Sequence, residues 1–223
     1  MQDYSIKVIA KIETDFKEKF GIPRQSGLAE SATGKIVFEP AFKNADAIRG
    51  LDGYSHLWLI WQFSEAVRDN WSPTVRPPRL GGNERVGVFA TRSPFRPNAI
   101  GLSSVKIEHI DFTNVEIYVS GVDMLDGTPI FDIKPYIPFA DSKKDAVGGF
   151  ADEHKAYSLD VIISDELLKK IPEKHQKTIA EILAEDPRPS YQNDPDRIYG
   201  MKFAEFNIKF KVRDEVLTVL DVE

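Results

Sequence analysis

Residues 54–63 read YSHLWLIWQF. Seven of these ten positions are aromatic or aliphatic, which suits a buried strand. Downstream, Ser72 to Arg85 is rich in proline, glycine and arginine and too irregular for a helix. Residues 86–90, 102–110 and 115–120 read as further strands, and the polar break at Asn114 predicts a hairpin between the last two. Upstream, residues 5–12 (SIKVIAKI) alternate polar and apolar, and 35–38 is a short strand beyond a Gly/Pro loop spanning 16–28. LDGTP at 125–129 carries an Asp-Gly turn, and 132–141 holds two more prolines. Short strands joined by Pro/Gly connections over residues 1–145 predict an antiparallel β-barrel or sandwich, so the chain reads as mainly β.

The pattern changes after a weakly organised stretch, 146–156, which includes Gly149 and reads as a linker. Residues 157–163 suit a strand. Ser164 is placed to cap a short helix over 165–170, with acids in its first turn and lysines in its last. Pro172 opens a second helix reaching about Leu183. In 204–212, Phe206, Ile208, Phe210 and Val212 share one face, and 216–222 completes the pattern. A small α+β domain over 157–223 is expected.

Composition narrows the chemistry. The 223 residues are 42% hydrophobic, 29% charged and 11% aromatic, which suits a packed core rather than a disordered chain. There is no cysteine, so disulfides, thiolate nucleophiles and cysteine metal sites are excluded, in keeping with a reducing cytoplasm. The first residues lack the basic-then-apolar order of a signal peptide, and no run approaches the roughly 20 apolar residues that span a membrane. His56, His109, His154 and His175 are too scattered for metal-ligand spacing, so no metal is expected. The phosphate-binding glycine motifs are absent, as is the G-x-S-x-G elbow.

The net charge of −6 hides an uneven distribution. Arg68, Arg76, Arg79, Arg85, Arg92 and Arg96 face only Asp69 and Glu84 between residues 68 and 98, giving this segment +4 and the remainder −10. Arginine's planar fork matches phosphate and carboxylate oxygens. Overlapping it, residues 75–103 (VRPPRLGGNERVGVFATRSPFRPNAIGLS) form a rigid loop, a strand and a second rigid loop. Such loops bury little apolar area. Their stiffness either positions polar groups or simply closes a barrel with solvated arginines.

This segment resembles the signature of the TsaA-like (TrmO) tRNA methyltransferases. KFGIPRQSGL at 19–28, GYSHLWLIWQF at 53–63, DGTPIFDIKPYIPFAD at 126–141 and DPRPSY at 186–191 resemble the family too, in the family's order. The resemblance implies an N-terminal β-barrel rather than a Rossmann fold. It also implies a homodimer with S-adenosylmethionine bound near the subunit interface. The implied reaction is methylation of N6 of N6-threonylcarbamoyladenosine at position 37 of tRNA, with threonine-accepting tRNA the expected substrate. Carried over by position, the cofactor contacts are Pro23, Arg24, Gln25, Phe63, Ser64, Arg92, Leu102, Ser120, Gly121, Val122 and Asp123. Two positions depart from the family's bacterial pattern: Ser64 stands where histidine is common, and Ala99 where proline is common.

Methyl transfer to N6 is helped by a carboxylate that takes the N6 proton. Asp126 and Asp132 are the candidates, and an Asp-Gly turn former and a strand-end partner for an arginine are their structural alternatives. Arg76, Arg79, Arg96, Lys134 and Tyr136 are candidate tRNA contacts. A barrel that binds cofactor or RNA as a sensor, and a methyltransferase with another acceptor, are the competing readings.

Overall fold

A computed structural model describes residues 2–77, 84–154, 158–189, 192 and 194–223. Its strands in chain order are β1 (Ala10–Thr14), β2 (Thr33–Phe38), β3 (His56–Gln62), β4 (Thr74–Val75), β5 (Val86–Gly87), β6 (Ile100–Asp111), β7 (Glu116–Ser120) and β8 (Thr128–Pro135). After the short helix α1 (Pro138–Asp141) come β9 (Asp160–Ile162), α2 (Asp165–Leu168), α3 (Glu173–Ala184), β10 (Tyr199–Phe203), β11 (Phe206–Arg213) and β12 (Val216–Val222).

Six strands close into a barrel in the order β1-β2-β7-β6-β3-β8, every pair antiparallel. Alternation along each strand decides what enters the barrel. Leu57, Leu59 and Trp61 of β3 point inward with Ile12, Ile36, Val105, Ile117 and Ile130, all buried. The intervening Trp58, Ile60 and Gln62 stay half-buried, so β3 is covered on its inner face and only partly on its outer one. Gly101 lies opposite Trp61 in the ladder, and a β-carbon there would come within 2.3 Å of the indole. Glycine is therefore what lets the largest inward side chain fit.

Several boundaries move. The first strand begins at Ala10 rather than residue 5, although Ile9 already bonds to Ile130. The strand expected at 86–90 pairs only at Val86 and Gly87 with β4, and Val88–Ala90 coils into a 3-10 turn. Val115 takes a positive φ in the β6–β7 hairpin, where the Asp111 carboxylate accepts from the N–H groups of Thr113 and Asn114. Part of the expected linker, Gly149–His154, is a 3-10 turn, and residues 155–156 lie outside the described residues.

The C-terminal sheet runs β10-β11-β12-β9, with β9 parallel to β12. Ser164 caps α2 by accepting from Leu167 N–H, and Pro172 precedes α3 as expected. β10 had no place in the sequence reading: its five residues include Gly200 and Lys202, which obscure the alternation of buried Tyr199, Met201 and Phe203. This unit and the barrel share one apolar core. Phe16 meets Phe203 edge-on at 5.4 Å, and Ala204 N–H donates to Asp15 at 2.8 Å.

Candidate cofactor site

Four segments converge at one end of the barrel: the loop after β1, the loop before β6, the inner face of β6, and the turn after β7. Their meeting point is Asp123. Ser103, buried on β6, donates its hydroxyl to the Asp123 carboxylate at 2.7 Å. Trp61 Nε1 donates to Ser103 Oγ at 2.9 Å, which turns the serine proton toward the acid. Burial pushes the Asp123 carboxyl up to about 6, against the opposing pull of the Ser103 hydroxyl, backbone N–H groups including that of Ser26, and the Arg92 charge. The group therefore titrates close to neutrality, where a carboxylate is basic enough to accept a proton.

Arg92 is exposed, and its guanidinium donates to Gln25 Oε1, while Gln25 Nε2 donates to Arg24 O at 2.6 Å. The Arg92 loop is held from within. Arg96 donates to Thr91 O at 2.7 Å and to Val88 O at 3.5 Å. The 24–27 loop is tied to the barrel by Ser104 N–H on Ser26 Oγ at 3.2 Å and by Gly27 N–H on Gly121 O at 2.9 Å. Gly121 has a φ of +74°, the left-handed region that favours glycine, at the point where its carbonyl accepts from Gly27.

The structure thus brings Gln25, Arg92, Gly121 and Asp123 together from the expected cofactor set. Pro23 is buried beside Arg24 at the edge of the same loop. Phe63 packs on Trp61 with ring centres 4.2 Å apart, and Ser64, exposed, begins the next turn. Leu102 is 57% exposed on the outer face of β6, opposite in direction to Ser103. Val122 is in the core, and Ser120 donates to Glu108 at 2.6 Å, so neither side chain joins the cluster.

The two carboxylates expected to take a proton are engaged elsewhere. Burial would raise Asp126, but the Lys17 ammonium at 2.8 Å and Thr14 N–H at 2.9 Å outweigh it and hold the carboxyl below its ordinary value. Asp132 lies on the outer face of β8, 2.8 Å from Lys134 Nζ. Tyr136 packs on Trp58 and His56, with ring centres 5.5 and 6.2 Å away. Arg76 is exposed, and Arg79 lies outside the described residues. Sequence reasoning missed Ser103 and Trp61 as parts of the site. Their signal was the inward phase of β6 and β3, which places a hydroxyl and an indole N–H in an otherwise apolar barrel.

No group of three or more metal-ligating side chains occurs among the described residues, and no helix there is long and apolar enough to cross a membrane.

The donors present suit S-adenosylmethionine. A buried carboxyl can accept from hydroxyl or ammonium groups, and an arginine can meet a carboxylate. Comparison with known proteins points the same way. Residues 11–142 match the tRNA-methyltransferase O N-terminal domain, and residues 156–223 match the TrmO C-terminal domain. The chain is 40% identical to the tRNA (adenine(37)-N6)-methyltransferase of Escherichia coli, over 100% of this chain and 99% of that protein. It is 41% identical to a putative S-adenosylmethionine-dependent methyltransferase, RcsF, of Pseudomonas aeruginosa, over 98% and 97% of the two chains. The crystal structure of TrmO from Pseudomonas aeruginosa superposes with a TM-score of 0.81 at 35% identity, covering 100% of each chain. The chain therefore belongs to the tRNA-methyltransferase O family.

Proposed function

We infer that this chain is an S-adenosylmethionine-dependent tRNA (adenine(37)-N6)-methyltransferase, and that its acceptor is N6-threonylcarbamoyladenosine in threonine-accepting tRNA. The observation that carries the reading is the cluster at the barrel end: a carboxyl raised to about 6 at Asp123, with Arg92 and Gln25 beside it. When bound, S-adenosylmethionine supplies an electrophilic methyl group. Pro23, Arg24, Gln25, Phe63, Ser64, Arg92, Leu102, Gly121 and Asp123 are the residues proposed to hold it.

Acyl substitution makes N6 a poorer nucleophile and its proton easier to lose, so a base near N6 assists. Asp123 fits that role better than Asp126 or Asp132. A carboxylate held low by an ammonium is a weak base, whereas one raised by burial is a stronger one. Trp61 fixes the Ser103 hydroxyl toward Asp123, so the acid keeps one orientation through the proton transfer.

The arginine-rich 68–98 segment is the proposed tRNA-facing surface, with Arg76 and Arg79 on phosphate. Arg96 supports it indirectly by bracing the Arg92 loop. Within the same segment the exposed rings of Trp71 and Phe89 lie 5.9 Å apart, and this apolar pair, as distinct from the arginines that face tRNA, is the proposed subunit interface of a homodimer. The cytoplasm is the proposed compartment, because that is where tRNA is modified.

The test is incubation with S-adenosylmethionine and threonine-accepting tRNA, with and without the threonylcarbamoyl group, followed by nucleoside mass measurement. One added methyl on the modified adenosine alone is the expected result. Methylation of unmodified tRNA would overturn the acceptor assignment. Cofactor binding without transfer to either tRNA would replace the enzyme by a sensor or by a methyltransferase with another acceptor.

A further inference from the structure

The segment 24–31 belongs to neither domain alone. At 25–27 it is tied to the barrel. At its two ends it is tied to the C-terminal unit. Ser31 Oγ donates to Glu181 at 2.6 Å and lies 2.9 Å from Thr178 Oγ1, and Ser31 N–H donates to Glu181 at 2.9 Å, all on α3. Arg24 donates from one guanidinium nitrogen to the carbonyls of Asp186 at 3.1 Å and Arg188 at 3.4 Å.

Those two carbonyls are held in place by a fork. Arg188 is 8% exposed and grips the Asp186 carboxylate through Nε at 2.8 Å and a terminal nitrogen at 2.9 Å, while Arg188 N–H adds a third bond at 3.3 Å. Asp186 has a φ of +50°, a conformation that L-residues adopt only with local support. The bidentate pair supplies that support and turns both carbonyls toward Arg24. Pro187 between them adds a fixed φ.

We propose that Asp186 and Arg188 are positioning residues for the cofactor site, acting through Arg24 on the loop that carries Gln25 and Ser26. The inference rests on the cofactor assignment above. A chain of single contacts leads from the fork to the site: Asp186 and Arg188 hold Arg24, the Arg24 carbonyl accepts from Gln25, and Gln25 receives the Arg92 guanidinium. Glu185–Pro189 and Lys19–Arg24 also line one cleft of about 370 Å³, which Pro23 and Arg24 of the proposed cofactor set share with the fork. The C-terminal unit on this view contributes to cofactor affinity.

The test is a double-mutant cycle in the full chain, with S-adenosylmethionine affinity read by calorimetry and tRNA affinity read separately. Arg24→Ala and Arg188→Lys should each weaken S-adenosylmethionine binding by about tenfold, the order expected for losing one charge-assisted hydrogen bond in the chain that holds the loop. The double variant should be no weaker than Arg24→Ala alone. Affinity for tRNA should stay at the parent value. Full additivity of the two effects, or unchanged cofactor affinity in Arg188→Lys, would overturn the proposal while leaving the cofactor assignment standing. Unchanged affinity in Arg24→Ala would overturn the proposal too, whereas failure of the parent protein to bind S-adenosylmethionine would overturn the cofactor assignment. Should Arg188→Lys fail to fold, Asp186→Asn carries the same cycle, since it keeps the side-chain shape and removes the charge.

Discussion

The Ser103 hydroxyl donates to the Asp123 carboxylate at 2.7 Å, and it is turned that way by the Trp61 indole N–H behind it. A strand that faces an apolar barrel thus delivers one polar hand to its rim. The acid it meets is raised by burial to about 6, and that shift has a stability cost.

Between about pH 4, the ordinary carboxylate value, and about 6, the folded chain binds more protons at Asp123 than the unfolded chain does. Stability from this group is therefore present at low pH and lost as pH rises through 6. Asp123→Asn, which removes the buried charge, should stabilise the protein at pH 7.5 by about 1–3 kcal/mol and give no gain at pH 4. Thermal unfolding at the two pH values checks this, with methyl transfer falling in the same variant.

Ser103→Ala removes a donor that lowers the Asp123 carboxyl. The acid should rise above its present value, and the acidic limb of kcat/KM should move to higher pH. An unshifted limb would show that Asp123 does not govern the rate.

Arg92→Ala should weaken S-adenosylmethionine binding far more than it lowers the melting temperature. The side chain is exposed and, among the described residues, its hydrogen bond runs outward from its loop to Gln25, while the loop itself is braced by Arg96. Parallel losses in calorimetric affinity and in thermal stability would make Arg92 a structural residue instead.

Gly101→Ala places a methyl 2.3 Å from the Trp61 ring system. Strain from overpacking of this kind costs about 1–3 kcal/mol. Because the indole must move, its bond to Ser103 should be lost as well. A chemical denaturation curve gives the first effect and the pH profile of the rate gives the second.

Arg76→Ala should weaken tRNA binding most at low salt and reduce the slope of log K against log salt by about one phosphate contact, so that variant and parent converge as salt rises, leaving cofactor affinity unchanged. A salt titration of tRNA binding decides it.

Much of the barrel could be read from the chain because its strands are long and flanked by turn formers. Residues 54–63 and 102–110 carry unbroken apolar or alternating runs, and both are strands within two residues of the expected limits. β10 escaped because a strand of five residues, two of them glycine and lysine, offers too little pattern to separate from a loop. The 86–90 stretch has strand composition, yet only two residues find a partner, since β4 supplies just Thr74 and Val75. For the site, residue types pointed to the right loops but not to the division of labour. Asp126 and Asp123 are three residues apart and equally acidic in the sequence. What separates them is tertiary: Lys17, 109 residues away, sits on one, and Ser103 and the barrel rim enclose the other. Likewise Arg96 looks like a surface arginine until its loop closes around it and supplies two carbonyls.

Closure of the barrel brings β1 against β8, with Ala10 paired to Ile130. A contact between residues so distant in the chain costs loop entropy before it yields any stabilisation, and topologies dominated by such pairings fold on the order of milliseconds to seconds. During synthesis β1 can pair with β2 early, but its second edge waits until β8 has emerged. Throughout that interval the growing chain carries an unpaired edge, the period in which it most depends on chaperones and is most open to strand-to-strand aggregation.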